Sequence, residues 1–346
     1  MKGRTGEEAR MRGALRALWP GLAVGGVLAY AYVHRGEFVA VGPLLRHADR
    51  PALAVAAALQ LAFLTDQALL YFVLFRLART PLPIGFLVEI TLAANLANRL
   101  APVAGGAGAS VFALAAGRRG VPMARAAAIH LLFYVVDYAT FALVVAVLAA
   151  VLPRVTALPP GAGPALAGFS GAVGLGLVAL VTVWLRPDIL RRMAGRHGPE
   201  PGAADPAVLA RLRRAWSRGV SALERELRAL QPVLTSATGL LTAAAVGLSV
   251  QVVDMGIVYW SFRAFRYAVP PVTLVAGFSL ATVLSLISLV PGGVGVFEAS
   301  MTGVFRTLGV PLPVAAAVTL LYRVLNFWLP LGLGIPGLRR IAREGG

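Results

Sequence analysis

Long apolar runs separated by short arginine-bearing breaks organise this chain. About 20 apolar residues rising 1.5 Å each cross a hydrocarbon layer ~30 Å thick, so runs of this length predict membrane-spanning helices. Residues 18–33, 52–75, 126–152, 164–185, 233–262 and 313–336 meet that description, which gives about six full spans. Several carry polar groups that lipid tolerates poorly: Gln60, Asp66 and Gln67; His130, Tyr134 and Asp137; Gln251 and Asp254; Arg323 and Asn326. Such groups are expected to face the bundle interior. The run at 164–185 has no ionisable residue and is expected to pack toward lipid.

Two further apolar stretches break where a span should continue. The first, 86–100, holds Glu89, Asn95, Asn98 and Arg99; Pro102 to Gly108 follows, then a short apolar piece at 109–116. The second, 272–290, runs into Pro291-Gly292-Gly293-Val294-Gly295-Val296-Phe297-Glu298 and then a segment to about Thr307. Irregular backbone at bilayer depth survives only where protein buries it or a wet cavity receives it. Each stretch therefore predicts a re-entrant helical hairpin with glycines at its tip, and a half-helix whose N-terminal N–H groups point inward. A short polar loop between two spans is the plainer alternative.

The two stretches also resemble each other. A shift of 187 superposes Phe75-Arg76 on Phe262-Arg263, Pro83 on Pro270, and Gly105, Gly106 and Gly108 on Gly292, Gly293 and Gly295. At 189, Gly120-Val121-Pro122 falls on Gly309-Val310-Pro311 and Asp137 on Asn326. We read a duplication, about 52–152 and about 233–336, within one transmembrane domain. With both termini cytoplasmic, most of the 32 Lys+Arg lie on the inner side. On that topology the two copies are inverted, and the hairpins enter from opposite faces, an arrangement common in transporters. The fold class is thus all-α polytopic membrane protein with an inverted repeat and two re-entrant hairpins.

Composition narrows the function. The chain of 346 residues is 58% apolar and 14% charged, with a formal charge of +17. Excess arginine in such a chain points to topology and anionic headgroups rather than nucleic acid, for which no reading motif is present. No cysteine excludes disulfides and thiolate chemistry, and four scattered histidines, 34, 47, 130 and 197, argue against a metal or acid–base centre. No cofactor or metal is expected, and no enzymatic activity. Leading residues 1–17 carry five basic groups before the first apolar run. Although Ala29-Tyr30-Ala31 looks like a signal cleavage site, an uncleaved first span is the reading. Within 186–230, Leu209, Leu212, Trp216, Val220, Leu223, Leu227 and Leu230 recur at helical spacing, with Arg211, Arg214, Arg218, Arg225 and Arg228 on the other faces. That helix either lies on anionic headgroups or packs on the bundle's own loops.

The candidate substrate site comprises Arg99, Asn95, Asn98, the glycines Gly105, Gly106, Gly108, Gly292, Gly293 and Gly295, and Glu298. Arg99 and two half-helix N-termini suit an anionic headgroup, and Glu298 either competes for Arg99 or changes protonation when the substrate leaves; an acid in a first helical turn is also favourable on its own account. Asp137, Arg323 and Asn326 are expected to form a second polar cluster. His130 reads as packing.

These residues, above all Pro291 to Glu298, make the chain resemble the transmembrane-region family of lysylphosphatidylglycerol synthases, the "flippase-like" domain, from about residue 15 to 340. The first hairpin departs from the family pattern: Val103-Ala104 and Ala109-Ser110 stand where Pro-Gly and a charged pair are usual. The resemblance implies a multi-pass protein of a bacterial or archaeal cytoplasmic membrane that moves amphipathic lipids between leaflets. Fused members add an aminoacyl-transferase domain after the membrane part; with about ten residues beyond the last span, lysyl transfer is not expected. The expected partners are a phospholipid or lipid-linked substrate and anionic headgroups at the cytoplasmic face, with a homo-oligomer or a partner synthase left open. A non-transporting scaffold for a lipid- or glycan-modifying enzyme and a membrane-embedded transferase are the alternatives.

Overall fold

A computed structural model describes residues 48–100, 106–155, 162–190, 206–287 and 296–343, with Arg46 and Arg192. The apolar run at 18–33, Gly105 and the tip Pro291 to Gly295 lie outside the described residues.

Every regular element among the described residues is helical. The order is α1 Arg50–Leu77, α2 Ile84–Leu100, α3 Gly106–Gly117, α4 Met123–Val155, α5 Ala162–Leu185, α6 Pro206–Thr235, α7 Ala237–Ala264, α8 Pro271–Ile287, α9 Val296–Thr307 and α10 Leu312–Arg323. A π-helical segment, Val324–Trp328, then leads into α11 Leu329–Arg343. Four stretches, Arg50–Leu77, Met123–Val147, Ala237–Ala264 and Leu312–Gly337, are long and apolar enough to cross a membrane. Their outward surfaces are greasy, with Leu241 and Val252 on α7 at 69% and 67% exposure, whereas Gln60 on α1 is fully buried. That inversion of the soluble pattern is what a lipid solvent selects. The protein is an all-α, multi-pass membrane protein.

Helix ends follow from local chemistry. α1, α3, α7 and α9 each stop in a left-handed residue: Arg79 at φ 57°, Gly120 at 81°, Arg266 at 54° and Gly309 at 87°. In each, the next amide reaches back to the last turn: Thr80 to Phe75, Val121 to Ala116, Tyr267 to Phe262 and Val310 to Phe305, at 3.0–3.1 Å. This crossed pair of bonds satisfies carbonyls that a helix end leaves open. A proline follows within a few residues every time and prevents the helix from resuming.

Element boundaries recur along the chain. α1 and α7 are both 28 residues long and their ends are displaced by 187. α2 and α8 are both 17 residues at the same displacement, and α3 and α9 are both 12. At 1.5 Å per residue the paired helices are about 26 and 18 Å long, each short of a full crossing.

The helices divide into two compact units. One comprises the described parts of Met1–Thr65, Gly85–Val111 and Val252–Gly346; the other, Asp66–Ile84 and Phe112–Gln251. In the first, α8 packs on α9, where the Phe305 ring lies so close to Gly277 that a Cβ there would meet it at 2.3 Å. α11 crosses α2 as tightly: a Cβ on Gly334 would lie 2.7 Å from the Leu92 carbonyl, and one on Gly337 2.8 Å from that of Glu89. Small residues allow this approach, which is how helices gain dispersion contact without hydrophobic drive. Arg340 closes the crossing on the Glu89 carboxylate.

In the second unit α4, α5 and α6 pack together. The C-terminal half of the amphipathic helix packs on the bundle. Leu227 and Leu230 are buried, Arg125 of α4 meets Glu226 at 2.7 Å, and Gln231 donates to the Trp184 and Leu185 carbonyls. Trp216, earlier on the same face, is 51% exposed. The packed part of the helix is thus its C-terminal half, and Trp216 lies outside it.

Candidate functional site

The first unit brings Arg99, Asp254, Glu298 and Arg323 together around the π-helical segment. A π turn inserts one residue into the α pattern and re-aims the backbone carbonyls around it, a device found often at functional sites. Here Arg99, near the end of α2, donates through Nη2 to the Asn326 carbonyl at 2.8 Å and through Nη1 to that of Phe327. Its guanidinium also lies 4.7 Å from the Phe327 ring centroid, and that of Arg323 lies 4.0 Å from the same ring. One aromatic side chain thus bears on both cations.

Arg323 and Glu298 form an ion pair, Nε to Oε1 at 2.6 Å, with side-chain exposures of 8% and 16%. Glu298 occupies the first turn of α9, so the helix dipole favours it as well. Phe297 stacks on Tyr322 with centroids 5.7 Å apart and also lies beneath the Arg323 guanidinium at 5.6 Å. Behind this layer Tyr322 donates to Asp254 at 2.9 Å, and the Asn326 amide reaches the same carboxylate oxygen at 3.4 Å.

The groupings differ from those expected. Sequence sets Glu298 against Arg99 and joins Asp137 to Arg323 and Asn326. In the structure Glu298 pairs with Arg323, Asn326 serves Asp254 and Arg99, and Asp137 is held by the Gln251 amide at 2.9 Å. Asn326 rides the π-helical coil that follows Arg323, and that wider coil changes what Asn326 and the residues after it face. Asp66, whose partner sequence does not reveal, accepts from Ser249 at 2.8 Å.

Asn98 also takes a different part. Its Oδ1 accepts the Gly108 N–H at 2.6 Å, so it caps α3 from the end of α2 and occupies one of the N–H groups assigned to a ligand. Gly108 must be glycine for this, since a Cβ would stand 2.4 Å from the Asn98 amide. Gly106 has open space around it, and Asn95 is partly buried one turn before Arg99. Gly292, Gly293 and Gly295 lie outside the described residues, as does Gly105.

His130 sits in an aromatic cluster of the second unit: Tyr71 hydrogen-bonds its Nδ1 at 2.8 Å and Phe112 and Tyr134 pack around it. Tyr322, Phe297 and Phe327 are site residues that sequence reasoning passed over. Tyr322 adjoins Arg323 and Phe297 adjoins Glu298, and an aromatic next to a charge buried at depth is the signal that marks them.

The lysylphosphatidylglycerol synthase TM region, as a family model, matches residues 18–334. The chain belongs to this family. Among curated proteins it is similar to UPF0104 membrane proteins of Methanothermobacter thermautotrophicus, 36% identical over 76 residues in one alignment and 24% over 139 in another. These cover 22% and 38% of this chain, and 23% and 41% of the relatives' length. A UPF0104 membrane protein of Pyrococcus horikoshii is 40% identical over 51 residues, 15% of each chain. Membership accounts for the multi-pass architecture and makes a lipid-related role in the membrane the natural frame for the arginine site.

Proposed function

We propose that this family member is a lipid translocator, which moves an anionic or amphipathic headgroup between leaflets while the acyl tails stay in lipid. The observation that carries the reading is the convergence of Arg99, Arg323, Glu298 and Asp254 around one π-helical segment and one half-helix start. Charges at such depth are costly and persist in pathways for polar cargo. Arg99, oriented by two carbonyls and an aromatic ring, is the group to bind a phosphoryl oxygen. Glu298 takes up Arg323 when no anion is present and yields it when one arrives, so that the site closes on itself between loads. No bond is made or broken in this scheme, and the protein is not an enzyme.

The recurring element lengths and caps support a duplicated architecture. In our reading the copies are inverted, the short helix pairs α2–α3 and α8–α9 are re-entrant hairpins, and both termini face the cytoplasm of a bacterial or archaeal cell. Headgroup-labelled lipids in proteoliposomes test the function. Wild type is expected to equilibrate label across the bilayer, with Arg99→Ala and Glu298→Gln slower by at least about tenfold, the scale of one charge-assisted contact. Equal rates for all three would remove the site, and no movement of any lipid would favour a scaffold. Orientation is tested separately by a cysteine placed in the 263–271 loop of this cysteine-free chain. Labelling from the outer side supports inversion, and labelling from the cytoplasm alone overturns it.

A further inference from the structure

An arginine-lined cavity lies in the second unit. It has a volume of about 410 Å³ and is lined by Leu77, Ala78 and Arg79 at the end of α1, Arg125 at the start of α4, and Leu230, Pro232 and Val233 near the end of α6. Two spans thus end at the cavity, which places it at the level of the headgroups rather than at depth.

Arg79 is the informative residue. It adopts the left-handed conformation that closes α1, at φ 57°, a position where glycine is far better tolerated. The same cap at the ends of α3 and α9 is filled by Gly120 and Gly309. The cap itself does not require an arginine, and Arg266 fills the same one at the end of α7, so it is the cavity beside Arg79 that singles out its side chain. Its guanidinium has no hydrogen-bond or ion-pair partner among the described residues, whereas Arg125 opposite is held by Glu226. Apolar Leu77, Leu230 and Val233 complete the wall beside these two cations.

We propose that this cavity binds the phosphoryl group of an anionic phospholipid headgroup, with Arg79 as the principal contact, Arg125 as the second cation, and the apolar wall against the glycerol end of the lipid. The apolar wall favours a lipid over free phosphate, which would need water on that side. The site is independent of the translocation pathway proposed above, because all its residues belong to the other unit.

The test uses the detergent-solubilised full chain carrying Arg99→Ala, so that the deeper site does not supply the signal. It is titrated calorimetrically with dioctanoyl phosphatidylglycerol, dioctanoyl phosphatidylcholine and inorganic phosphate. Arg79→Gly is the decisive variant, since it removes the guanidinium yet suits the cap, and its melting temperature is expected not to fall. Binding of phosphatidylglycerol is expected to weaken about tenfold on that change, with phosphatidylcholine and phosphate both weaker than phosphatidylglycerol throughout. Unchanged affinity in Arg79→Gly, or no phosphatidylglycerol binding in the parent, overturns the proposal. Phosphate binding as tightly as phosphatidylglycerol overturns the lipid assignment.

Discussion

Arg323 at the end of α10 and Glu298 in the first turn of α9 meet at 2.6 Å, both nearly buried. A carboxylate and a guanidinium so shielded depend on each other more than either depends on solvent. Glu298→Gln should leave Arg323 uncompensated and cost about 3 kcal/mol of stability, whereas Arg323→Met in the same chain should recover part of that loss. Thermal unfolding of the four chains of the double-mutant cycle measures the coupling. Additive effects would mean that the pair does not hold in the native state.

Arg99 bonds two successive carbonyls across a fork, a geometry that an ammonium cannot reproduce. Arg99→Lys should therefore destabilise the π-helical segment by about 1–2 kcal/mol despite keeping the charge. Hydrogen exchange at the amides of 326–331 reads this directly. Faster exchange there, with α4 unaffected, is the expected result.

The cap that Asn98 of α2 places on α3 predicts a reversal of sign. Alone, Gly108→Ala should cost about 1 kcal/mol, because it expels the Asn98 amide from the Gly108 N–H. In an Asn98→Ala background the same change should stabilise, by up to about 1 kcal/mol, since alanine is the better helix former. Melting temperatures of the three variants decide it.

Gly334 and Gly337 set the approach of α11 to α2. Gly334→Val should force the helices apart and cost about 1–3 kcal/mol, with loss of the Arg340–Glu89 contact. A cysteine pair at Ala93 and Ile335 should then cross-link less well than in the parent.

The two halves of α6 should respond differently. Leu227→Ala, in the packed half, should destabilise by about 2–5 kcal/mol. Trp216→Ala should leave the melting temperature within about 0.5 kcal/mol of equivalent stability, as exposed sites do, while reducing quenching by bilayer-embedded probes relative to the other tryptophans.

Much of this protein is written locally and was legible without coordinates. Apolar run length gives four spans among the described residues, and Gly120 and Gly309, with prolines behind them, mark where helices stop. The spacing of the Phe-Arg, Pro and Gly matches gave the displacement at which helix ends recur. These features depend on neighbours a few residues away, so a linear reading captures them.

Pairing was not legible in the same way. Arg99 finds carbonyls 227 and 228 residues further along, and the coil that presents them is one residue wider than the pattern implies. Sequence named Arg99, Glu298, Arg323 and Asn326 as the polar groups at depth, because only composition and position are needed for that. Which acid meets which base depends on how far each helix is rotated about its own axis. Only the packed structure fixes that angle, since a shift of one residue turns a side chain by about 100°.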